Sequence, residues 1–180
     1  MAVVQSYEIQ VKLIYMTCSL IRQEQIFHSF TITDLSGFAI TSMNSKVYGF
    51  IQKASKITQD YYPETMGQMC IVNAPWTFTA VWKIVQGWLD EKTRQKISIV
   101  GGKAFKELVK HIDEENIPDF LGGQCTRKLE EDHGPWNDYE VVDGANPGDI
   151  VGIRKKGDPN GKIFTPLDFE SLPNNRLADP

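Results

Sequence analysis

The chain has 180 residues and a mass of 20.4 kDa, enough for one domain with a buried core. Apolar residues make up 41% and charged residues 23%, ordinary globular usage that argues against wholesale disorder. Nineteen basic residues against 23 acidic ones leave a formal charge of −4, so no bulk field draws the chain to nucleic acid.

Three scattered cysteines (Cys18, Cys70, Cys125) suit a reducing cytosol better than a disulfide framework or a zinc site. No run approaches the roughly 18 apolar residues of a membrane span. The N-terminus lacks the basic region of a secretory signal, and a periodic segment starts directly after Met1.

Residues 7–24 carry Ile9, Leu13, Met16 and Leu20 at helical spacing, and the absence of Gly and Pro favours helix over a short strand. Phe27 to Leu35 is aromatic and β-branched, closes on Ser36-Gly37 and reads as a strand. Thr41 or Ser42 is expected to cap a helix bearing Val47, Phe50, Ile51, Ala54 and Ile57, which Tyr61-Tyr62-Pro63 stops. Met69–Asn73 is a short strand. An amphipathic stretch with Phe78, Val81, Trp82, Val85 and Trp88-Leu89 follows it.

A polar turn or half-helix over Asp90–Gln95 leads into a strand at Lys96–Val100, and a helix over Ala104–Ile112 follows Gly101-Gly102. Strands alternating with helices predict an α/β fold with a largely parallel, helix-covered sheet. Beyond Gly122-Gly123 the composition shifts to an acidic cluster (Glu130, Glu131, Asp132) and turn formers. Ile150–Lys156 and Lys162–Leu167 around Gly157–Gly161 read as a hairpin, and Pro173–Pro180 as a frayed tail.

Catalytic signatures are sparse. Gly101-Gly102 sits between strand and helix but without a phosphate-loop pattern, and no nucleophile elbow is present. His28, His111 and His133 lack metal-ligand spacing, so no metal or cofactor is expected. The unusual stretch is Trp76, Phe78, Trp82 and Trp88, three tryptophans and a phenylalanine in thirteen residues. Periodicity alone leaves two readings: a bulky core helix, or a lid with one face toward a cavity and aromatic rings toward a membrane interface.

The residues themselves resemble a known family. Thr58–Gly67, Ile71-Val72-Asn73-Ala74-Pro75, Phe78, Leu89-Asp90 and Lys96-Ile97 are similar to the CRAL-TRIO lipid-binding domain, nearest its phosphatidylinositol/phosphatidylcholine transfer branch. Thr31–Gly37 upstream match too, as do Ile117-Pro118, Phe120, Gly122-Gly123 and Gly134-Pro135-Trp136 downstream. The likeness covers roughly residues 7–137, giving a lipid-binding lobe over 1–137 and a C-terminal extension over 138–180.

The resemblance implies a mixed, mostly parallel sheet as the floor of an apolar pocket, with a movable gating helix over about Pro75–Leu89. Trp76, Phe78, Val81, Trp82 and Val85 would form that gate, in favour of the lid reading. The function implied is binding of phosphatidylinositol or phosphatidylcholine and its transfer or presentation between cytosolic membrane faces, Golgi or endosomal membranes among them, without covalent chemistry. Each acyl methylene taken from water is worth about 0.8 kcal/mol, so a diacyl lipid calls for an enclosed slot. Glu64, Thr93 and Lys96 fall where the family contacts the phosphoinositol head, and Ser29 and Thr31 where it contacts the phosphocholine phosphate.

Two departures qualify the match. Thr65 stands where the branch usually has a basic residue. The lobe is also incomplete at its N-terminus relative to the family, which would expose a sheet edge and part of the cavity wall. A partner chain or a second copy would then supply the missing wall. The alternative reading is a degenerate lobe that binds a protein or membrane surface without moving lipid.

Overall fold

Strand β1 (Ser29–Asp34) draws on the β-branched run Thr31-Ile32-Thr33, and it pairs in parallel with β2 (Met66–Val72). β2 in turn pairs in parallel with β3 (Ile97–Ile99), so the sheet order is β1-β2-β3. The register sets Ile32 opposite Cys70, and Cys70 opposite Ser98. This computed structural model describes residues 2–129, 134–144 and 150–174. The acidic cluster at Glu130–Asp132 and His133 lie outside the described residues. The chain divides into two units, Ser29–Lys128 and Met1–His28 with Leu129–Pro180.

Within Ser29–Lys128, parallel pairing demands helical crossovers. The crossovers are α3 (Ser45–Tyr61) between β1 and β2, and α4 (Phe78–Val85) with α5 (Glu91–Gln95) between β2 and β3. α3 is capped by Asn44, whose side chain accepts from the Lys46 and Val47 N–H groups at 3.0 and 3.2 Å. The caps expected at Thr41 or Ser42 do not form, because Ile40–Ser42 is a 3₁₀ turn of its own. The helix ends at Tyr61, as the following proline requires.

The core gathers on one face of β2. Cys70 and Val72 are fully buried with Leu108 of α6 (Ala104–Leu108) and with Ile117, and Phe30, Ile32 and Val100 pack around them. α6 is shorter than the helix expected to reach Ile112.

The Ile117–Cys125 loop returns on itself. The Cys125 N–H donates to the Ile117 carbonyl and the Asp119 N–H to the Cys125 carbonyl, each at 2.9 Å. A Cβ at Gly123 would lie 2.1 Å from the Ile117 carbonyl oxygen, so only glycine fits that crossing.

In the other unit, residues 2–22 form α1 (Ala2–Ile9), a six-residue π-helical stretch (Gln10–Tyr15) and α2 (Met16–Arg22). Tyr15, Thr17 and Ser19 are buried there. β4 (Tyr139–Asp143) runs antiparallel to β5 (Ile150–Lys155). β5 therefore takes β4 as its ladder partner. The segment after the Gly157 turn joins it through the mutual Ile153–Phe164 bonds at 2.9 Å, an isolated bridge, before Pro166 opens α7 (Pro166–Glu170). Pro173, read from sequence as the start of a frayed tail, accepts from the Gln25 N–H at 2.9 Å, and 175–180 lie outside the described residues.

Gly123→Ala is expected to lower unfolding stability by at least ~1–3 kcal/mol in urea melts, since the backbone must shift to admit the methyl. Gly102→Ala, with open space around its Cβ position, should change it by less than ~0.5 kcal/mol.

Candidate functional site

Parallel pairing brings the starts of all three strands to one end of the sheet. Lys96 closes α5 just before β3, and its carbonyl accepts from the Met69 N–H at 2.8 Å. Glu64 occupies the turn before β2 with φ of 65°. The Lys96 ammonium lies 3.2 Å from Glu64 Oε2, an ion pair across 32 residues of sequence. Ser29 opens β1 opposite Met66 and donates its N–H to the Thr65 carbonyl at 3.0 Å. Ser29, Glu64 and Lys96 thus share this end, and Thr31 lies two residues further along β1.

Thr93 is held differently. Asp90 caps α5: its carboxylate accepts the Thr93 N–H at 2.9 Å and the Thr93 hydroxyl at 2.6 Å. The Thr93 hydroxyl proton therefore points at Asp90, leaving the oxygen lone pairs to accept from elsewhere. The Thr93 hydroxyl bond, followed by its N–H, holds the Asp90 carboxyl below the usual carboxylate range. The Glu64–Lys96 pair is partly exposed, and such pairs are worth about 0–1 kcal/mol. An incoming anion can take the ammonium from Glu64 at little expense.

The stretch read as a gate is split in its environments. Val81 is buried, with 2% of its surface exposed. Phe78 meets Phe38 edge-on at 5.8 Å, and Trp88 meets Tyr48 of α3 edge-on at 6.1 Å. Gln59 of α3 donates to the Trp88 carbonyl at 3.2 Å and accepts from the Asp90 N–H at 3.1 Å. Trp76 is 86% exposed. Val85 is half-buried, and Trp82 lines an open groove beside β3. The inward side of the stretch is thus aromatic and aliphatic. The outward side carries Trp76, Ala80, Lys83 and Ile84, with no acidic residue between Pro75 and Leu89.

Sequence reasoning missed a polar cluster at the opposite end of the sheet. Asn73 follows β2 with φ of 52°, and its amide donates to Asp34 Oδ1 at 2.9 Å and to the Ser36 hydroxyl oxygen at 3.1 Å. The Asn73 amide is the main cause holding the Asp34 carboxyl below its usual range. The cluster clamps the exits of β1 and β2 three residues before Trp76. Turn formers after each strand were its only trace in sequence.

A helix-covered parallel sheet, with a charged pair at its strand starts and an aromatic helix after its central strand, defines an α/β lobe. The model of the CRAL/TRIO domain matches residues 4–123, and the chain belongs to that family. It is 45% identical over 115 residues to the Sec14 cytosolic factor of Schizosaccharomyces pombe, covering 62% of this chain and 40% of that protein. It is 36% identical over 137 residues to the phosphatidylinositol/phosphatidylcholine transfer protein SFH12 of Arabidopsis thaliana, covering 73% and 25%. The chain thus spans well under half the length of these relatives. The crystal structure of Sfh5 overlaps 47% of this chain and 30% of that one, with a TM-score of 0.44 at 26% identity.

The Asp90 cap carries a pH signature. A depressed folded pKa means that the cap's stabilisation is present above the unfolded aspartate value of about 3.9 and is lost as pH falls through the lower folded one. The Thr93 amide resonance should follow that lower midpoint in an NMR titration. Thr93→Val should move the midpoint up toward the unfolded value.

Proposed function

We propose that this lobe binds a phospholipid, phosphatidylinositol or phosphatidylcholine, and transfers or presents it between cytosolic membrane faces without covalent chemistry. The observation that carries the reading is the Glu64–Lys96 pair: a lysine and an acid far apart in sequence are set together at the strand starts, beside Ser29. Lys96 would meet the lipid phosphate as a point charge, with Thr93 accepting from an inositol hydroxyl. Ser29 and Thr31 would serve the phosphocholine phosphate.

Pro75–Leu89 is the proposed gate. Its inward face of Phe78, Val81, Trp82 and Val85 would cover acyl chains, and exposed Trp76 would meet the bilayer interface, where indole is favoured. Exchange then swaps apolar contacts for interfacial ones of similar quality, which keeps the barrier low. Among the described residues no helix is long and apolar enough to cross a membrane, so contact with the bilayer would be peripheral. The names of the relatives, a cytosolic factor and a phosphatidylinositol/phosphatidylcholine transfer protein, support the same reading.

Mass spectrometry of organic extracts of the purified chain should show bound phospholipid. Lys96→Ala should lower phosphatidylinositol loading about tenfold, the worth of a hydrogen bond to a charged group, and phosphatidylcholine loading less. Ser29→Ala with Thr31→Ala should do the reverse. Equal loss of both lipids would place these residues in the service of the fold.

A further inference from the structure

The outward side of α3 carries a basic patch that the transfer reading leaves unused. Between Leu35 and Leu89 stand four lysines and two acids, in a chain whose formal charge is −4. Three of those lysines, Lys46, Lys53 and Lys56, are exposed on α3, and the helix holds no acid before Asp60 in its last turn. Lys46, Phe50 and Lys53 follow one another at spacings of four and three, so they line one side of the helix, with Lys56 a turn beyond. Phe50 is 61% exposed in their midst. Among the described residues none of the three ammonium groups has an ion-pair partner. Asp60, four residues past Lys56, is the one opposing charge on the helix.

Right-handed crossovers between parallel neighbours set α3 and α4 on the same side of the sheet. Leu108 of α6 packs on Cys70 and Val72 at the other side, since Cys70 stands opposite Ser98 while Ile97 and Ile99 border Trp82. Tyr48 against Trp88, and the Gln59 bond to the Trp88 carbonyl, tie α3 to the stretch that holds α4. Their outward sides therefore form one surface, to which that stretch adds exposed Trp76, Lys83 and Ile84. We propose that this surface, centred on the α3 lysines, docks the lobe on a bilayer that carries anionic lipid. The ammonium groups meet the negative head groups, and the Phe50 ring enters the interfacial layer between them. Charge fixes the sign of the occupant and shape fixes its kind. The patch is the convex side of a helix rather than a groove, and flexible lysine stems suit a flat, laterally mobile array of charges. The proposal rests on the transfer reading for the presence of a bilayer. It adds which membrane charge is selected, through lysines outside both the head-group set and the Pro75–Leu89 stretch.

The test is cosedimentation of the full chain with phosphatidylcholine vesicles prepared with and without phosphatidylserine. The native chain should bind the phosphatidylserine vesicles more tightly, and added salt should erase the difference. Lys46→Gln with Lys53→Gln should weaken that binding roughly thirtyfold, about fivefold for each charge near the surface. Lys103→Gln with Lys106→Gln, at the start of α6 on the other side of the sheet, should change it by less than about twofold, because those charges lie beyond the reach of screened attraction. All four side chains are exposed, so the variants can be confirmed as folded by circular dichroism. Phospholipid extracted from each variant should match the native amount, which separates docking from loading: a native chain empty of lipid would sink the transfer reading and leave vesicle binding to be read on its own. The proposal is overturned if the native chain binds both kinds of vesicle alike, or if Lys46→Gln with Lys53→Gln changes nothing, and the α3 lysines would then be left to an acidic protein. It is equally overturned if the α6 pair weakens binding as much as the α3 pair, or if the α3 pair loses its bound lipid.

Discussion

The parallel register of β2 between β1 and β3 is the constraint on which the site depends. β2 makes both ladders, and its Cys70 and Val72 lie under α6 and Ile117 with no exposure. β3 is only three residues long, so its position relies on β2 more than on its own ladder. Fixing that register aligns Ser29, Glu64 and Lys96 at one end of the sheet and Asp34 and Asn73 at the other. Shifting it by one residue would reverse every strand side chain and scatter both groups.

The two ends do different work. The strand starts carry a cation held by a weak, partly exposed pair, which suits reversible contact with an anionic head group. The strand exits carry the Asp34–Ser36–Asn73 cluster, whose hydrogen bonds tie β1 to β2 at the point where the chain leaves for α4. The Pro75–Leu89 stretch therefore departs from a clamped base and reaches α3 again through Gln59. Between those anchors its only fully buried residue is Val81, a modest hold compared with the core around Leu108. That modest hold is what the proposed gating movement of the helix over the sheet would require.

Much of the fold was legible because its strands are β-branched and punctuated: Thr31-Ile32-Thr33 before Ser36-Gly37, and Cys70-Ile71-Val72 before Ala74-Pro75. Helix ends were less so. Thr41 and Ser42 have the right chemistry for a cap, but a 3₁₀ turn occupies them and passes the role to Asn44. The hairpin near Gly157 was half legible, since the turn formers are local while the choice of β4 as partner is set by residues 139–143. The Glu64–Lys96 and Asp34–Asn73 contacts were invisible to spacing, because they join segments 32 and 39 residues apart and exist only through the parallel register. Resemblance to a family nominated Glu64 and Lys96, and nothing in sequence nominated the Asp34 cluster or the groove beside β3.

In the proposed function, the lobe carries lipid from one bilayer to another through the movement of Pro75–Leu89. The most direct test is the rate at which labelled phosphatidylcholine passes from donor to acceptor vesicles in the presence of the chain. The expected result is a rate that rises in proportion to protein and falls to the protein-free level when a cross-link fastens α4 to α3. Vesicle binding with no transfer above the protein-free rate would contradict it, and would leave a surface-binding module in its place.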